Sequence, residues 1–295
     1  MGVLNHLSTL LLLSLLPPAL SHVVDKFSDV PQCPKFFLEG TTPNLPGILV
    51  GGTVQDQNRY KPICQKYKDT YRFATLYDTT NMIPVFSAYT FSGPPTDPRP
   101  KGQPWMIEPQ LEGIDVEEMK TQHEVKAVDT DYSATISSMD LDRGHLFPCN
   151  AAPDDATMRS TFTLTNAVPQ ERGFNRALVY NCKDNNNKIE AYVVTGAVPN
   201  NNNNNKLNNR VNMPDLLWTA FCCYNNNLKQ WTVGAHWGEN NNDNGKILNL
   251  ETLGKLEAKL KQSYNGNVKV FHDNCPRNVK SLHPELKENH PGKIC

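Results

Sequence analysis

Apolar residues fall into short runs along the chain, and their spacing sets the elements to be expected. At 7–16 the run is almost wholly apolar, Pro17 and Pro18 follow, and the small residues Ala19 and Ser21 stand before His22. A run this short cannot span a bilayer, which takes ~20 residues. It reads as a secretory signal peptide over residues 1–21, although its start lacks the usual Lys or Arg. Residues 22–66 show no sustained period and carry Pro31, Pro34, Pro43, Pro46, Pro62 and the pair Gly51-Gly52, so an irregular arm is expected, stapled by Cys33 and Cys64. β-Branched and aromatic residues dominate 72–78 and 82–91, with Thr79-Thr80-Asn81 able to turn the chain between them, which predicts a hairpin. Pro and Gly at 92–104 predict a surface loop, and the acidic, amphipathic stretch 108–119 predicts a short helix.

In the second half, 189–198 reads as a buried strand ending near Gly196, and 216–224 with 230–237 as a second hairpin turning at 225–227. Leu250, Leu253, Leu256 and Leu260 recur at helical spacing after a candidate N-cap, Asn249, while Glu251/Lys255 and Glu257/Lys261 stand four apart. One amphipathic helix is expected there. Asparagine runs at 185–187, 200–205, 225–227 and 240–242 sit at expected turns and read as solvated loops. Hairpins mixed with few helices, without regular strand-helix alternation, point to an α+β domain with a mainly antiparallel sheet.

Composition narrows this picture. The chain has 295 residues, enough for a sizeable core, and its 29 Lys plus Arg against 30 Asp plus Glu exclude a general polycation. Any contact with nucleic acid must therefore be local. Beyond residue 21 no apolar run is long enough for a membrane span. All eight cysteines follow that point, an even number that suggests disulfides in an oxidising, extracellular compartment, with connectivity left open. There is no C-x-x-C pair and no N-x-S/T acceptor, so neither a zinc knuckle nor N-glycosylation is expected.

Candidate chemistry is densest in the middle, at Asp140-Leu141-Asp142-Arg143-Gly144-His145, then Asn150, Asn166, Gln170, Glu171, Arg172, Asn175 and Arg176. A histidine can accept a proton from water near neutral pH, and a neighbouring glycine lets a ligand approach the backbone. Arg143 can hold an anion, and the carboxamide of Asn175 is a hard neutral ligand suited to Mg²⁺ that keeps most of its waters. Together these groups suit phosphodiester hydrolysis. The blander readings are a turn bearing a surface histidine, and cap or turn roles for Asn166 and Asn175. His145 and Cys149 lack a second pair that would make a zinc site, and a serine hydrolase finds no G-x-S-x-G.

The ordered set Asp142-Arg143-Gly144-His145, Thr163-Leu164-Thr165-Asn166-Ala167-Val168-Pro169-Gln170 and Phe174-Asn175-Arg176 resembles the DNA/RNA non-specific endonuclease family. The set is far more specific than any one part, and the resemblance covers roughly residues 55–265. It implies a disulfide-stabilised ββα-metal (His-Me finger) nuclease fold with flanking helices. The organisation it implies is an N-terminal arm over 22–54, the nuclease domain over 55–265, and a disulfide-linked extension over 266–295. By the same resemblance His145 matches the base that activates water, Asn175 the one protein ligand of a catalytic Mg²⁺ or Mn²⁺, Asn166 an asparagine that orders the site, and Arg143 the arginine of the motif. The substrate implied is the backbone of DNA or RNA, with little base preference.

The chain departs from this pattern at one place. Family members carry a Glu eight residues and an Arg twelve residues after the metal-binding Asn, where this chain has Lys183 and Asn187. Glu171, Arg172 and Arg176 are the neighbouring groups able to substitute. The reading is therefore a secreted, metal-dependent endonuclease, with a catalytically weakened nuclease fold that binds nucleic acid or an extracellular partner as the alternative.

Overall fold

The structure, a computed structural model, describes residues 22–93, 95, 97–125, 141–171, 191–202, 205–225, 229–241 and 249–279. The expected signal peptide, Asn175 with Arg172, Arg176, Lys183 and Asn187, and the last part of the expected C-terminal extension lie outside these residues. The first strands are β1 (Leu49–Val50), β2 (Thr53–Val54), β3 (Tyr60–Tyr67), β4 (Thr70–Asp78), β5 (Ile83–Phe91), β6 (Met106–Ile107) and β7 (Lys120–Thr121). They are followed by β8 (Leu141–His145), β9 (Ala167–Glu171), β10 (Ala191–Val198), β11 (Lys206–Leu207), β12 (Val211–Asn212), β13 (Leu216–Asn225) and β14 (Gln230–Glu239). Among the described residues the helices are α1 (Gln122–Val125), α2 (Asp155–Ser160) and α3 (Leu253–Tyr264), with several 3-10 turns beside them.

Six strands form one antiparallel sheet in the order β14-β13-β10-β5-β4-β3. Side chains alternate between its faces. From β13, Trp218, Ala220 and Cys222 enter the cluster that holds α3 and the N-terminal segment, with Phe27, Phe37, Leu45, Leu253, Leu256 and Leu260. The intervening Phe221 and Cys223 enter a different cluster, with Phe73, Tyr89, Phe147, Met158 and Phe162. The neighbours Cys222 and Cys223 thus serve opposite layers: Cys222 bonds to Cys275 on the α3 side, and Cys223 lies in a disulfide on the other. Cys33 bonds to Cys64, tying the N-terminal segment to β3.

Both hairpins occur where the apolar pattern places them, as β4–β5 and β13–β14. Other elements differ from expectation. The end of the expected irregular arm, residues 60–66, forms β3 together with Tyr67, and Pro62 is tolerated there because it lies at the sheet edge. The stretch 108–119 is not a helix: one 3-10 turn, Pro109–Glu112, ends at Gly113 in the left-handed region with φ 73°. Strand β10 ends at Val198, the bound read from the sequence, and at Gly196 the Trp218 ring fills the space that a side chain would need. The cap of α3 is Thr252, whose hydroxyl accepts from the Lys255 amide, and not Asn249. Lys255 does pair with Glu251 at 2.8 Å, but Glu257 turns to the Val270 amide (2.9 Å) and Arg277 (3.3 Å), and not to Lys261.

Candidate active site

Strand β8 is the motif Asp142-Arg143-Gly144-His145 preceded by Leu141, and it pairs antiparallel with β9, His145 opposite Ala167 and Asp142 opposite Gln170. Because alternate residues of a strand share a face, Arg143 and His145 point the same way and Gly144 the other. Trp105 receives both. The Arg143 guanidinium carbon lies 5.2 Å from the Trp105 ring centre, and the His145 ring lies 4.9 Å from it, tilted by 43°. Phe162 closes a second side of the imidazole, edge-on at 4.8 Å, and Trp105 and Phe162 themselves meet at 5.5 Å. His145 is only 8% exposed. A cation over an aromatic face is attracted by the ring quadrupole, so Trp105 favours the guanidinium beside it.

The opposite side of β8 explains two more letters of the motif. A Cβ on residue 144 would sit 2.8 Å from Gln170 Cβ and 2.9 Å from its Cδ, and nearer still to its Oε1. Glycine is required because Gln170 crosses the strand there, so the Gly of one motif and the Gln of the other are a packing pair.

Beyond His145 the chain is fixed by Asn166, which has 0% exposure. Its Nδ2 donates to the carbonyls of Phe147 (3.1 Å) and Thr161 (3.0 Å), and its Oδ1 accepts from the Phe147 amide (2.9 Å) and Ser87 Oγ (2.9 Å). Its carbonyl also receives the Leu146 amide at 2.9 Å. The carboxamide therefore spends both its donors and both its acceptor sites inside the protein. Phe147, held this way, stacks on Tyr89 at 4.0 Å and 16°. Burial pushes the Tyr89 hydroxyl well above its usual range, against a bond to Thr195 that pulls the other way, so it remains protonated.

Sequence reasoning missed the groups that support these residues. Glu108, 1% exposed, accepts from the hydroxyls of Thr163 (2.9 Å) and Thr165 (3.0 Å), and its other oxygen lies 2.6 Å from Nε2 of His22. Gln65 Nε2 donates to Thr165 at 2.8 Å. These partners lie up to 100 residues apart, and no local period links them. The only signal available was composition, in that Thr163 and Thr165 fall inside the motif that ends at Asn166.

The structure thus brings Arg143, His145 and Asn166 into one neighbourhood, with Asn166 facing inward, while Asn175 lies outside the described residues. Two observations bear on a divalent ion. Asn166 has no lone pair left for one, and among the described residues no three His, Cys, Asp or Glu side chains gather as a cage. The buried Oδ1 of Asn150 has no hydrogen-bond partner among the described residues, and it is a hard, neutral oxygen. A neutral carboxamide oxygen is the kind of ligand that a divalent ion keeping most of its waters accepts.

Comparison with known proteins follows the same lines. A family profile for DNA/RNA non-specific endonuclease matches residues 56–277. The endonuclease domain-containing 1 protein of Homo sapiens is 32% identical over 216 residues, 65% of this chain and 39% of that protein. The mouse (Mus musculus) protein of the same name is 28% identical over 264 residues, 83% of this chain and 47% of that protein. The chain spans less than half the length of either relative. A solved EndoG/EndoGI complex aligns with a TM-score of 0.44 at 16% identity, over 68% of this chain and 84% of that one.

Proposed function

Since the chain belongs to the DNA/RNA non-specific endonuclease family, with its α+β, ββα-metal nuclease fold, we propose that it hydrolyses phosphodiester bonds of DNA or RNA with His145 as the general base. The observation that supports this most is the shared face of β8, which sets His145 and Arg143 against one Trp105 ring. A base and a phosphate-binding cation are thereby held side by side on rigid backbone.

In this reading His145 takes a proton from the water that attacks phosphorus, and the bond to the 3′ oxygen breaks, leaving a 5′-phosphate on the product. The walls of Trp105 and Phe162 restrict the imidazole to one orientation and exclude bulk water from two of its sides. Arg143 holds a non-bridging phosphate oxygen, which its planar fork suits. Asn166 orders the backbone after His145 and does not touch the substrate. Asn175 would hold the divalent metal, Mg²⁺ or Mn²⁺. A bound divalent ion supplies positive charge to the phosphate as negative charge develops. Because these groups address only the backbone, base preference is small. The Cys33–Cys64 and Cys222–Cys275 bonds support an oxidising, extracellular setting, and no helix among the described residues is long and apolar enough to cross a membrane.

The test is incubation of the secreted protein with supercoiled plasmid and with structured RNA in Mg²⁺, with EDTA controls and analysis of the new ends. Cleavage that EDTA abolishes, leaving 5′-phosphates, is expected. A folded protein that retards nucleic acid without cutting it would replace the enzyme with the binder that Lys183 and Asn187 suggest.

A further inference from the structure

The two rings that wall His145 belong to different segments. Trp105 precedes β6, and Phe162 precedes the threonines of the 163–166 segment. The segments are joined by backbone, with the Met106 amide donating to the Phe162 carbonyl at 2.8 Å, and by the buried carboxyl of Glu108, whose Oε1 takes both Thr163 and Thr165. The same 163–166 segment ends in Asn166, which fixes Phe147 just beyond His145. Glu108 therefore clamps both walls and the exit of the base at one point.

The other oxygen of Glu108 is met from a distance. His22, with 0% exposure, brings Nε2 to 2.6 Å from Oε2, 86 residues away in sequence. Its location is itself well determined: the amides of His22 and Val23 both donate to Gln110 Oε1 (3.1 and 3.0 Å), and the His22 carbonyl accepts from the Cys64 amide at 2.7 Å. Thus a residue of the N-terminal segment, which also borders β3 and meets Gln110, completes the shell of a carboxyl that organises the base. A buried carboxyl stripped of one partner is costly, and its remaining hydrogen bonds rearrange to compensate.

We infer that His22 is a positioning residue for His145, acting through Glu108 on the placement of Trp105, Phe162 and Phe147. The inference rests on the reading of His145 as the base, so the experiment separates the two. The whole chain is expressed with its own N-terminal residues, and the secreted protein is compared with His22→Ala, His22→Gln and Glu108→Gln. Amide hydrogen exchange is read at Leu146 and Phe147, and separately at Ala220 and Val233 in the sheet.

For His22→Ala, exchange at Leu146 and Phe147 should accelerate about a hundred-fold while the sheet amides stay unchanged. Plasmid cleavage should fall about ten-fold or more in kcat with KM within two-fold, since a misplaced base costs turnover and not binding. His22→Gln, which places an amide donor near the same point, should restore most of both, and Glu108→Gln should fall between. Should His22→Ala fail to be secreted, Glu108→Gln, which keeps shape and one acceptor, decides the matter by the same two readings. Protection at Leu146 and Phe147 that is unchanged, or that drops in step with the sheet, would overturn the inference. If the native protein cuts nothing, the nuclease reading fails by itself, and the exchange pattern still decides whether His22 holds the His145 segment.

Discussion

The two faces of the sheet are held in different ways. On the α3 side, Phe27, Phe37, Leu45, Trp218, Leu256 and Leu260 share a broad apolar cluster, and the Cys33–Cys64 and Cys222–Cys275 bonds lie in it. On the site side an apolar layer is also present, but the segment that carries His145 is fixed by directional bonds, at Asn166, at Glu108 and by the fit of Gly144 to Gln170. Apolar packing is non-directional and shared among many contacts, so it tolerates graded loss. A hydrogen bond made by a buried carboxamide has no substitute nearby. The difference shows two ways of holding a segment still: on one face shape is redundant, and on the other each polar group is singular.

This contrast can be broken most forcefully at Asn166. Asn166→Leu keeps the number and branching of heavy atoms but is bulkier and strands the Phe147 amide and two carbonyls, so a loss of about 3–5 kcal/mol is expected. Exchange at Leu146 and Phe147 should rise well before the sheet opens; equal opening everywhere would show that the site has no separate fastening. On the other face, Cys33→Ser with Cys64→Ser opens a loop with a sequence separation of 31, which the chain-entropy estimate puts at about 3–4 kcal/mol. Denaturant unfolding should show that loss while the residual folded protein keeps its activity.

Gly144→Ala should cost about 2 kcal/mol through overpacking against Gln170, and Gln170→Gly in the same chain, which removes the Cβ as well, should return much of it. Additive losses in that double-mutant cycle would refute the packing pair. The smallest effect concerns Glu257 on α3, whose carboxyl is raised from its ordinary range by burial, against the opposing pull of the Val270 amide and Arg277. The native state then binds this proton more readily than the unfolded chain does. Its contribution to stability accordingly falls as pH rises from the ordinary carboxyl range through the raised one. Glu257→Gln should leave Tm at neutral pH within a few degrees and remove that part of the acid-side slope in thermal scans.

How much was legible beforehand follows the same division. The hairpins β4–β5 and β13–β14 and the helix α3 were readable because alternation and helical spacing are local, and the face that each presents follows from its own residues. Strand β3 was hidden by Pro62, whose edge position cannot be known without the sheet. The amphipathic look of 108–119 misled because Glu108 and Met119 are both buried, in a polar clamp and an apolar cluster respectively, and not on the two faces of a helix. In the site, Arg143, His145 and Asn166 could be picked out as residue types in a motif. The partners that give them geometry, Trp105, Phe162, Ser87, Glu108 and His22, come from distant segments and leave no periodic trace.

The imidazole held in this frame is proposed to do chemistry and not merely to fill it. The most direct measurement is plasmid and RNA cleavage by His145→Ala beside the native protein in Mg²⁺, with hydrogen exchange of residues 141–149 recorded on both. Under that role cleavage should fall about 10³-fold or more, by analogy with the loss of other catalytic bases, while the protection at Leu146 and Phe147 survives. Cleavage at the native rate by a folded His145→Ala protein would contradict it.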